Sequence, residues 1–193
     1  MRRRVTHTRA VILRTERFWL RQLTMADVDN LFALDSDPEV MRYLPEDEPT
    51  RANIEQAVMP YLLAEYDRSP GLGLWAAIEH GSGEFLGWMC LRTTKGHEPD
   101  DVELGYRLRR AVWGKGLATE GSRALITYGF DVVGVARVWA ETHEANKASQ
   151  RVMAKAGLRF ERTFPHDGDE NGGVEYALTR AEYEAGYDAG ATG

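Results

Sequence analysis

Between Arg110 and Glu120 the chain reads RAVWGKGLATE, small residues and a lysine set between a strand pattern and a helix pattern. That composition suits a phosphate cradle. Upstream, Asp101 to Arg109 (DVELGYRLR) alternates Val102, Leu104, Tyr106 and Leu108 with Glu103, Gly105, Arg107 and Arg109, the period of two expected of a strand. Downstream, Leu117, Gly121, Ala124, Leu125 and Tyr128 recur at helical spacing, and Glu120 lies in the first turn, where the helix dipole favours an acid. A loop so placed presents the unpaired backbone N–H groups of a helix N-terminus to an anion. Gly114, Gly116 and Ala118 allow that anion to approach the backbone closely. Read without function, the same residues are a Gly-rich turn that caps a helix, with Arg107, Arg109, Arg110 and Lys115 as a solvated basic patch.

Spacing separates the phosphate-binding schemes. No segment supplies the GxxxxGK[ST] of a P-loop. Gly114 to Thr119 has the first two glycines of a dinucleotide GxGxxG fingerprint but Thr119 at the third, and its strand is flanked by further strands instead of opening a βαβ unit. Trp113 to Ala118 resembles the acyl-coenzyme A loop of the Gcn5-related N-acetyltransferase (GNAT) superfamily, Q/R-x-x-G-x-G/A, at the fourth and sixth positions, with Trp113 where the pattern has Gln or Arg. The resemblance extends over residues 10 to 180 in ordered pieces. Arg14 to Arg21 (RTERFWLR) with Asp27, then Asp37-Pro38-Glu39-Val40-Met41, resemble the opening of the branch that includes the ribosomal-protein N-terminal acetyltransferases. Glu103-Leu104-Gly105-Tyr106, Trp113 to Glu120, and Asn146-Lys147-Ala148-Ser149 before Gly157-Leu158 resemble its later segments.

The resemblance implies an acetyl-CoA-dependent transfer of an acetyl group to a primary amine, a protein N-terminus or a small cationic amine, by direct transfer. It also implies that the strands at 101–109 and 137–143 splay apart, with the pantetheine arm of the cofactor in the gap. Such chemistry needs a neutral amine, a polarised carbonyl and a proton for the departing thiolate. Glu103 is the candidate base and Ser149 the candidate acid. The cofactor set is Leu104, Tyr106, Arg109, Arg110, Trp113, Gly114, Lys115, Gly116, Leu117, Ala118, Thr119 and Asn146. Asn146 also suits a plain N-cap, three residues before Ser149 on one side of a helix start, and Tyr106 reads as core rather than as an acid. A backbone N–H on the Glu103 strand is expected to polarise the thioester carbonyl. A non-catalytic acyl-CoA-binding sensor or regulatory module is the alternative, and a nucleotide or dinucleotide module a third reading.

Positioning these residues requires a mixed α+β domain. Phe18 to Leu23 reads as a strand and Thr24-Met25-Ala26-Asp27 as a capping start for a helix with Val28, Leu31, Phe32 and Leu34. A short helix at Glu39 to Tyr43 precedes a longer one capped by Thr50, in which Pro60 is expected to introduce a kink. Gly71 to Glu79 and Glu84 to Thr93 form a hairpin through His80-Gly81-Ser82-Gly83, and Gly96 to Asp100 turns into the strand with Glu103. After the helix at 117–130 come a strand at Arg137 to His143, a helix opened by Asn146 and ended by Gly157, and strands at Leu158 to Phe164 and Val174 to Thr179 joined by a polar loop. The expected fold is a GNAT-like, mostly antiparallel sheet of six to seven strands with helices on both faces. One domain spans residues 10–180, and 1–9 and 181–193 read as partly flexible termini.

Charge and composition exclude other classes. A net charge of −6 over 193 residues argues against a general nucleic-acid binder, and local basicity near the loop suits a small polyanion. The single cysteine, Cys90, allows no intrachain disulfide and reads as core, in keeping with a cytoplasmic protein. No run approaches the about 18 apolar residues of a membrane span. Asp167 to Gly172 imitates half of an EF-hand loop, but Leu178 stands at the twelfth position and strands flank it, so it reads as a hairpin loop and no metal site is expected. Trp75, Trp88 and Trp139 fit either core or an acceptor pocket. The acids Asp35, Asp37, Glu39, Glu46, Asp47 and Glu48 are a solvated loop by default and favour a cationic acceptor if they border the cleft. Whether the chain is a monomer or a homodimer is left open.

Overall fold

A computed structural model describes residues 10–44, 49–166 and 169–186. Its sheet has eight strands in the order β1-β2-β3-β4-β5-β6-β8-β7. These are β1 (Val11–Arg14), β2 (Phe18–Gln22), β3 (Gly73–Glu79), β4 (Phe85–Thr93), β5 (Asp101–Leu108), β6 (Arg137–His143), β7 (Arg159–His166) and β8 (Asp169–Thr179). The count exceeds the expected six to seven because Val11–Arg14, too short to show a period, pairs antiparallel with β2 as an edge strand. The polar stretch expected to be a loop at 166–173 is taken largely into β7 and β8, where pairing continues to Phe164↔Gly173 and His166↔Asp169. Glu46, Asp47 and Glu48, and the Asp167-Gly168 portion of the EF-hand-like stretch, lie outside the described residues.

Two apolar layers sandwich the sheet. On one face β5 buries Val102, Leu104 and Leu108 against Leu117, Leu125 and Ile126 of α5 (Leu117–Tyr128) and Met153 of α6 (Lys147–Lys155). On the other, Leu23, Ala76, Ile78 and Phe85 meet Val28, Leu31 and Leu34 of α1 (Val28–Asp35) and Ile54 and Met59 from the segment after α2 (Pro38–Met41). That segment runs from α3 (Arg51–Asn53) through a π-helical turn, Ile54–Val58, into α4 (Met59–Arg68). Pro60 is the second residue of α4, just past the wide turn, which accommodates a residue that has no N–H to give and whose ring would crowd the preceding turn. A last short helix, α7 (Arg180–Glu184), starts from a capping box in which Thr179 and Glu182 exchange bonds.

At the start of α1, Asp27 accepts from Thr24 N–H at 2.8 Å and from both terminal nitrogens of Arg21, at 2.8 and 2.7 Å. The Asp27 side chain is 3% exposed, so this is a buried ion pair whose members have lost water and depend on each other.

The sheet changes character between β5 and β6. These strands are parallel, and their pairing is confined to Asp101↔Arg137, Val102↔Val138 and Glu103↔Trp139. Beyond Glu103 the two strands part, and β5 from Leu104 onward stays paired only with β4. The chain therefore builds a wedge in mid-sheet that opens toward the C-terminal end of β5, from which the Gly-rich loop departs.

Candidate functional site

The loop begins with a 3-10 turn, Arg110–Val112, and reaches α5 through two left-handed glycines, Gly114 at φ 74° and Gly116 at φ 78°. Glycine is favoured at both places because L side chains strain this region. Among the described residues no hydrogen bond engages the backbone N–H of Gly114, Lys115, Gly116, Leu117, Ala118 or Thr119, and the first bond of the helix is Glu120 N–H to Gly116 O at 3.0 Å. Six adjacent free donors at the N-terminus of a 12-residue helix form an anion-receiving surface. The helix sits close because Gly121 has no side chain: a Cβ there would lie 2.2 Å from Met89 Sδ and 2.8 Å from Phe18.

Each residue named for the cofactor has a definite place. Trp113 turns its indole N–H back onto Leu108 O at 2.7 Å, which ties the loop to the end of β5. Arg109 gives Nη1 to Phe85 O at 3.2 Å, so part of its guanidinium is committed to β4. Arg110 and Lys115 are exposed. Leu104 and Leu117 are buried, so their side chains serve the core and their main chains border the wedge and the loop. Arg17, which the sequence alone did not single out, reaches across from the β1–β2 turn: Nη1 meets Lys115 O at 2.5 Å and Nε meets Glu120 Oε2 at 2.5 Å, while Arg17 N–H donates to Glu120 Oε1 at 2.9 Å. Burial raises the Glu120 pKa, but bonds from Thr15 and Arg17 outweigh it and hold the carboxyl below its usual range. No local pattern could have announced a contact between positions 17 and 120; only the opening RTERF segment, matched as a block, marked Arg17 at all.

On the α5–α6 side of the wedge Tyr106 Oη lies 2.8 Å from Ser149 Oγ. Burial pushes the Tyr106 phenol up to about 12, against the pull of the Ser149 bond, so at neutral pH it remains a protonated donor. Asn146 caps α6, its Oδ1 accepting from Ser149 N–H at 3.2 Å while Nδ2 donates to Thr142 Oγ1 at 3.1 Å. The cap fixes the first turn that carries Ser149.

Glu103 faces the other side of the sheet at the narrow end of the wedge. Arg92 binds it through two donors, Nε at 2.9 Å and Nη2 at 3.0 Å, and Thr94 Oγ1 adds a third bond at 3.0 Å. Burial works against the Arg92 charge, but the bonded Glu103 carboxylate outweighs it and raises its pKa. Arg92 and Thr94 also line a cavity of about 280 Å³ beside Tyr61 and Glu65 of α4. The ladder places Arg92 opposite Glu103; opposite charges on the two arms of one hairpin were the sequence signal for the pair, although the turn at 94–100 alone would not fix the register. Further along β5, Arg107 binds Asp35 at the end of α1 and lies over Trp88, with its centre 5.2 Å from the ring. Trp75 and Trp139 are core residues, 1% and 3% exposed, and His97 stacks on Trp139 at 4.5 Å. Cys90 lies fully buried between these groups, and burial pushes its thiol up to about 12. Among the described residues no cluster of His, Cys, Asp or Glu is placed to hold a metal ion, and no helix is long and apolar enough to cross a membrane.

A mid-sheet wedge beside a helix N-terminus with six free amides suits a ligand that joins an extended arm to an anionic group, and comparison with known proteins gives the class. The Acetyltransferase (GNAT) domain family matches residues 17–159. FsC-acetyl coenzyme A-N(2)-transacetylase of Aspergillus fumigatus is 36% identical over 162 residues, covering 78% of this chain and 68% of that protein. The crystal structure of a GNAT-family acetyltransferase from Bacillus anthracis superposes with a TM-score of 0.72 at 25% identity, covering 88% of this chain and 99% of that one. RimL, a ribosomal L7/L12 alpha-N-protein acetyltransferase solved with coenzyme A, shares the fold at a TM-score of 0.76 and 17% identity, over 88% of this chain and 98% of its own. The chain belongs to the GNAT acetyltransferase family. It is an acetyltransferase.

Proposed function

We propose that this acetyltransferase takes its acetyl group from acetyl-CoA and passes it directly to a primary amine within a ternary complex. The observation that carries the reading is the row of unpaired amides from Gly114 to Thr119 at the mouth of the β5–β6 wedge. The amides receive a diphosphate, with Lys115 and Arg110 adding positive charge at the rim. The wedge receives the arm, and main-chain donors of β5 near Leu104 to Tyr106 polarise the thioester carbonyl. The A. fumigatus relative supports the choice of donor through its name, and RimL supports it through the coenzyme A in its complex.

In the transfer, the amine nitrogen forms a bond to the carbonyl carbon and the carbon–sulfur bond breaks. Glu103 accepts the proton lost by the amine, directly or through a water. A carboxylate offers about four lone-pair sites, and three are taken by Arg92 and Thr94, which leaves one for the proton while holding the group in place. Ser149 donates its hydroxyl hydrogen toward the departing sulfur, with its rotor set by Tyr106. Asp37 and Glu39 at the start of α2 add negative charge that suits a cationic acceptor, a peptide N-terminus or a small polyamine-like amine, while Asp35 is already matched by Arg107.

The test has two parts. Thermal-shift measurements with acetyl-CoA, coenzyme A, NAD and ATP should show stabilisation by the first two; stabilisation by the nucleotides alone would exclude the reading. An acceptor panel of N-terminal peptides, polyamines and aminoglycosides, read by release of free thiol, should then identify the amine class. Binding without turnover across a broad panel would replace catalysis by a sensing role.

A further inference from the structure

We infer that Arg17 is a positioning residue for cofactor binding, acting through the Lys115–Gly116 peptide. The inference rests on the proposed use of acetyl-CoA and adds a residue to it. In a trans peptide the carbonyl and the following N–H point in opposite directions. Arg17 Nη1 holds Lys115 O at 2.5 Å, so the Gly116 N–H is turned away from Arg17, toward the side where the neighbouring amides are free. The guanidinium backs onto this peptide closely, with Nη2 3.5 Å from where a Cβ on Gly116 would stand.

Such a restraint is needed here. Gly114 and Gly116 both occupy positive φ, and glycines on either side of Lys115 leave the intervening peptides free to rotate into other orientations. A flip of the 115–116 peptide would present a carbonyl oxygen to a diphosphate and withdraw a donor. A charged hydrogen bond to the carbonyl opposes the flip and polarises the N–H on the far side, making it a stronger donor. Glu120 fixes the clamp from the helix end, since its two oxygens take Arg17 Nε and Arg17 N–H, and the Arg17 side chain is otherwise 44% exposed and would be free to swing. The arrangement also accounts for Trp113: with its indole committed to Leu108 O, that side chain supplies no charge to the loop, and the cation that governs the loop stands behind it instead.

The experiment compares two acetyl donors in Arg17→Gln, Arg17→Lys and Glu120→Gln. Acetyl-CoA carries the diphosphate; S-acetylpantetheine keeps the thioester arm and lacks it. For Arg17→Gln the KM for acetyl-CoA should rise about ten-fold, as expected for one impaired charge-assisted donor, with kcat at saturation held and KM for S-acetylpantetheine unchanged. Arg17→Lys should recover part of the loss, and Glu120→Gln should shift KM in the same direction by less. Amide hydrogen exchange at Gly116 should change in the variants while the melting temperature of each reports its fold. A rise in KM of the same size for both donors, or no rise for acetyl-CoA in a folded Arg17→Gln protein, overturns the inference. Calorimetry on the unaltered protein separates the two levels: absence of acetyl-CoA binding there defeats the proposed function itself, whereas binding that Arg17→Gln leaves intact defeats this inference alone.

Discussion

Tyr106 and Ser149, 43 positions apart in the chain, share a hydrogen bond of 2.8 Å on the α5–α6 side of the wedge, and either hydroxyl can be its donor. Tyr106 comes from a strand and Ser149 from the first turn of a helix, so the bond ties β5 to α6 on the side where the two leave the sheet. Because the buried phenol keeps its proton to about pH 12, Tyr106 can donate to Ser149 and free the serine hydrogen for another acceptor.

Removing Ser149 should therefore cost turnover more than binding. Ser149→Ala is expected to lower kcat by about 100-fold with little change in KM for acetyl-CoA, in the range of general acid catalysis. Tyr106→Phe leaves the serine in place but unrestrained, and a smaller loss of kcat is expected. Steady-state kinetics on both variants checks this; equal and negligible losses would remove Ser149 from the chemistry.

For Glu103 the expectation lies in the pH profile. Glu103→Gln should reduce kcat by about 100-fold near neutrality, and the deficit should shrink as pH rises and more of the acceptor amine is already unprotonated. Glutamine also weakens the partnership with Arg92, so the melting temperature is measured alongside. A deficit that stays constant across pH would assign Glu103 to holding Arg92 instead.

Gly114→Glu tests the loop. At φ 74° a side chain costs about 1 kcal/mol of backbone strain, too little to unfold a domain of this size, and its Cβ meets nothing within 4 Å, while the added carboxylate repels a diphosphate at short range. Affinity for acetyl-CoA should fall by about 100-fold or more, with the melting temperature nearly kept. Calorimetric affinity equal to the parent protein would reduce the loop to a turn.

Stability toward acid should depend on Asp27. Burial raises its pKa, yet the bonds from Arg21 and Thr24 prevail and set it below the ordinary 3.8. A carboxylate with a folded pKa lower than its unfolded one stabilises the fold fully above about pH 3.8, and that contribution is lost as pH falls through the folded value. Asp27→Asn leaves Arg21 without its counter-ion and should destabilise the domain by about 3 kcal/mol near neutral pH, as is typical of a broken buried pair. Denaturant titrations at several pH values should also show a shallower loss of stability in acid for the variant.

Where the sequence was legible, the reason was local. Alternation through DVELGYRL located β5 at Asp101–Leu108, small residues between that strand and a helical repeat located the loop, and Asn146 announced the start of α6 through its capping chemistry. What escaped was set by distance or by brevity. Val11–Arg14 is too short for a period to register, and its strand character comes from pairing with β2. Arg17 and Glu120 meet only because the β1–β2 turn folds over the N-terminus of α5, and Arg107 meets Asp35 only because α1 ends above β5. The Tyr106 ring looked like core on pattern alone; its burial fits that reading, and its hydroxyl partner lies in a helix whose docking no periodicity specifies.

The parting of β5 from β6 after Glu103 leaves one flank of a central strand without a ladder partner, an edge hidden inside the sheet instead of at its border. Edges of this kind accept an extended guest by main-chain pairing. A donor whose arm carries its own amides can complete the row; a bare alkyl thioester has nothing to pair. On the proposed use of acetyl-CoA, discrimination among acyl carriers would fall to the skeleton of β5, and side-chain substitutions lining the opening should alter it less than shortening the carrier by one amide.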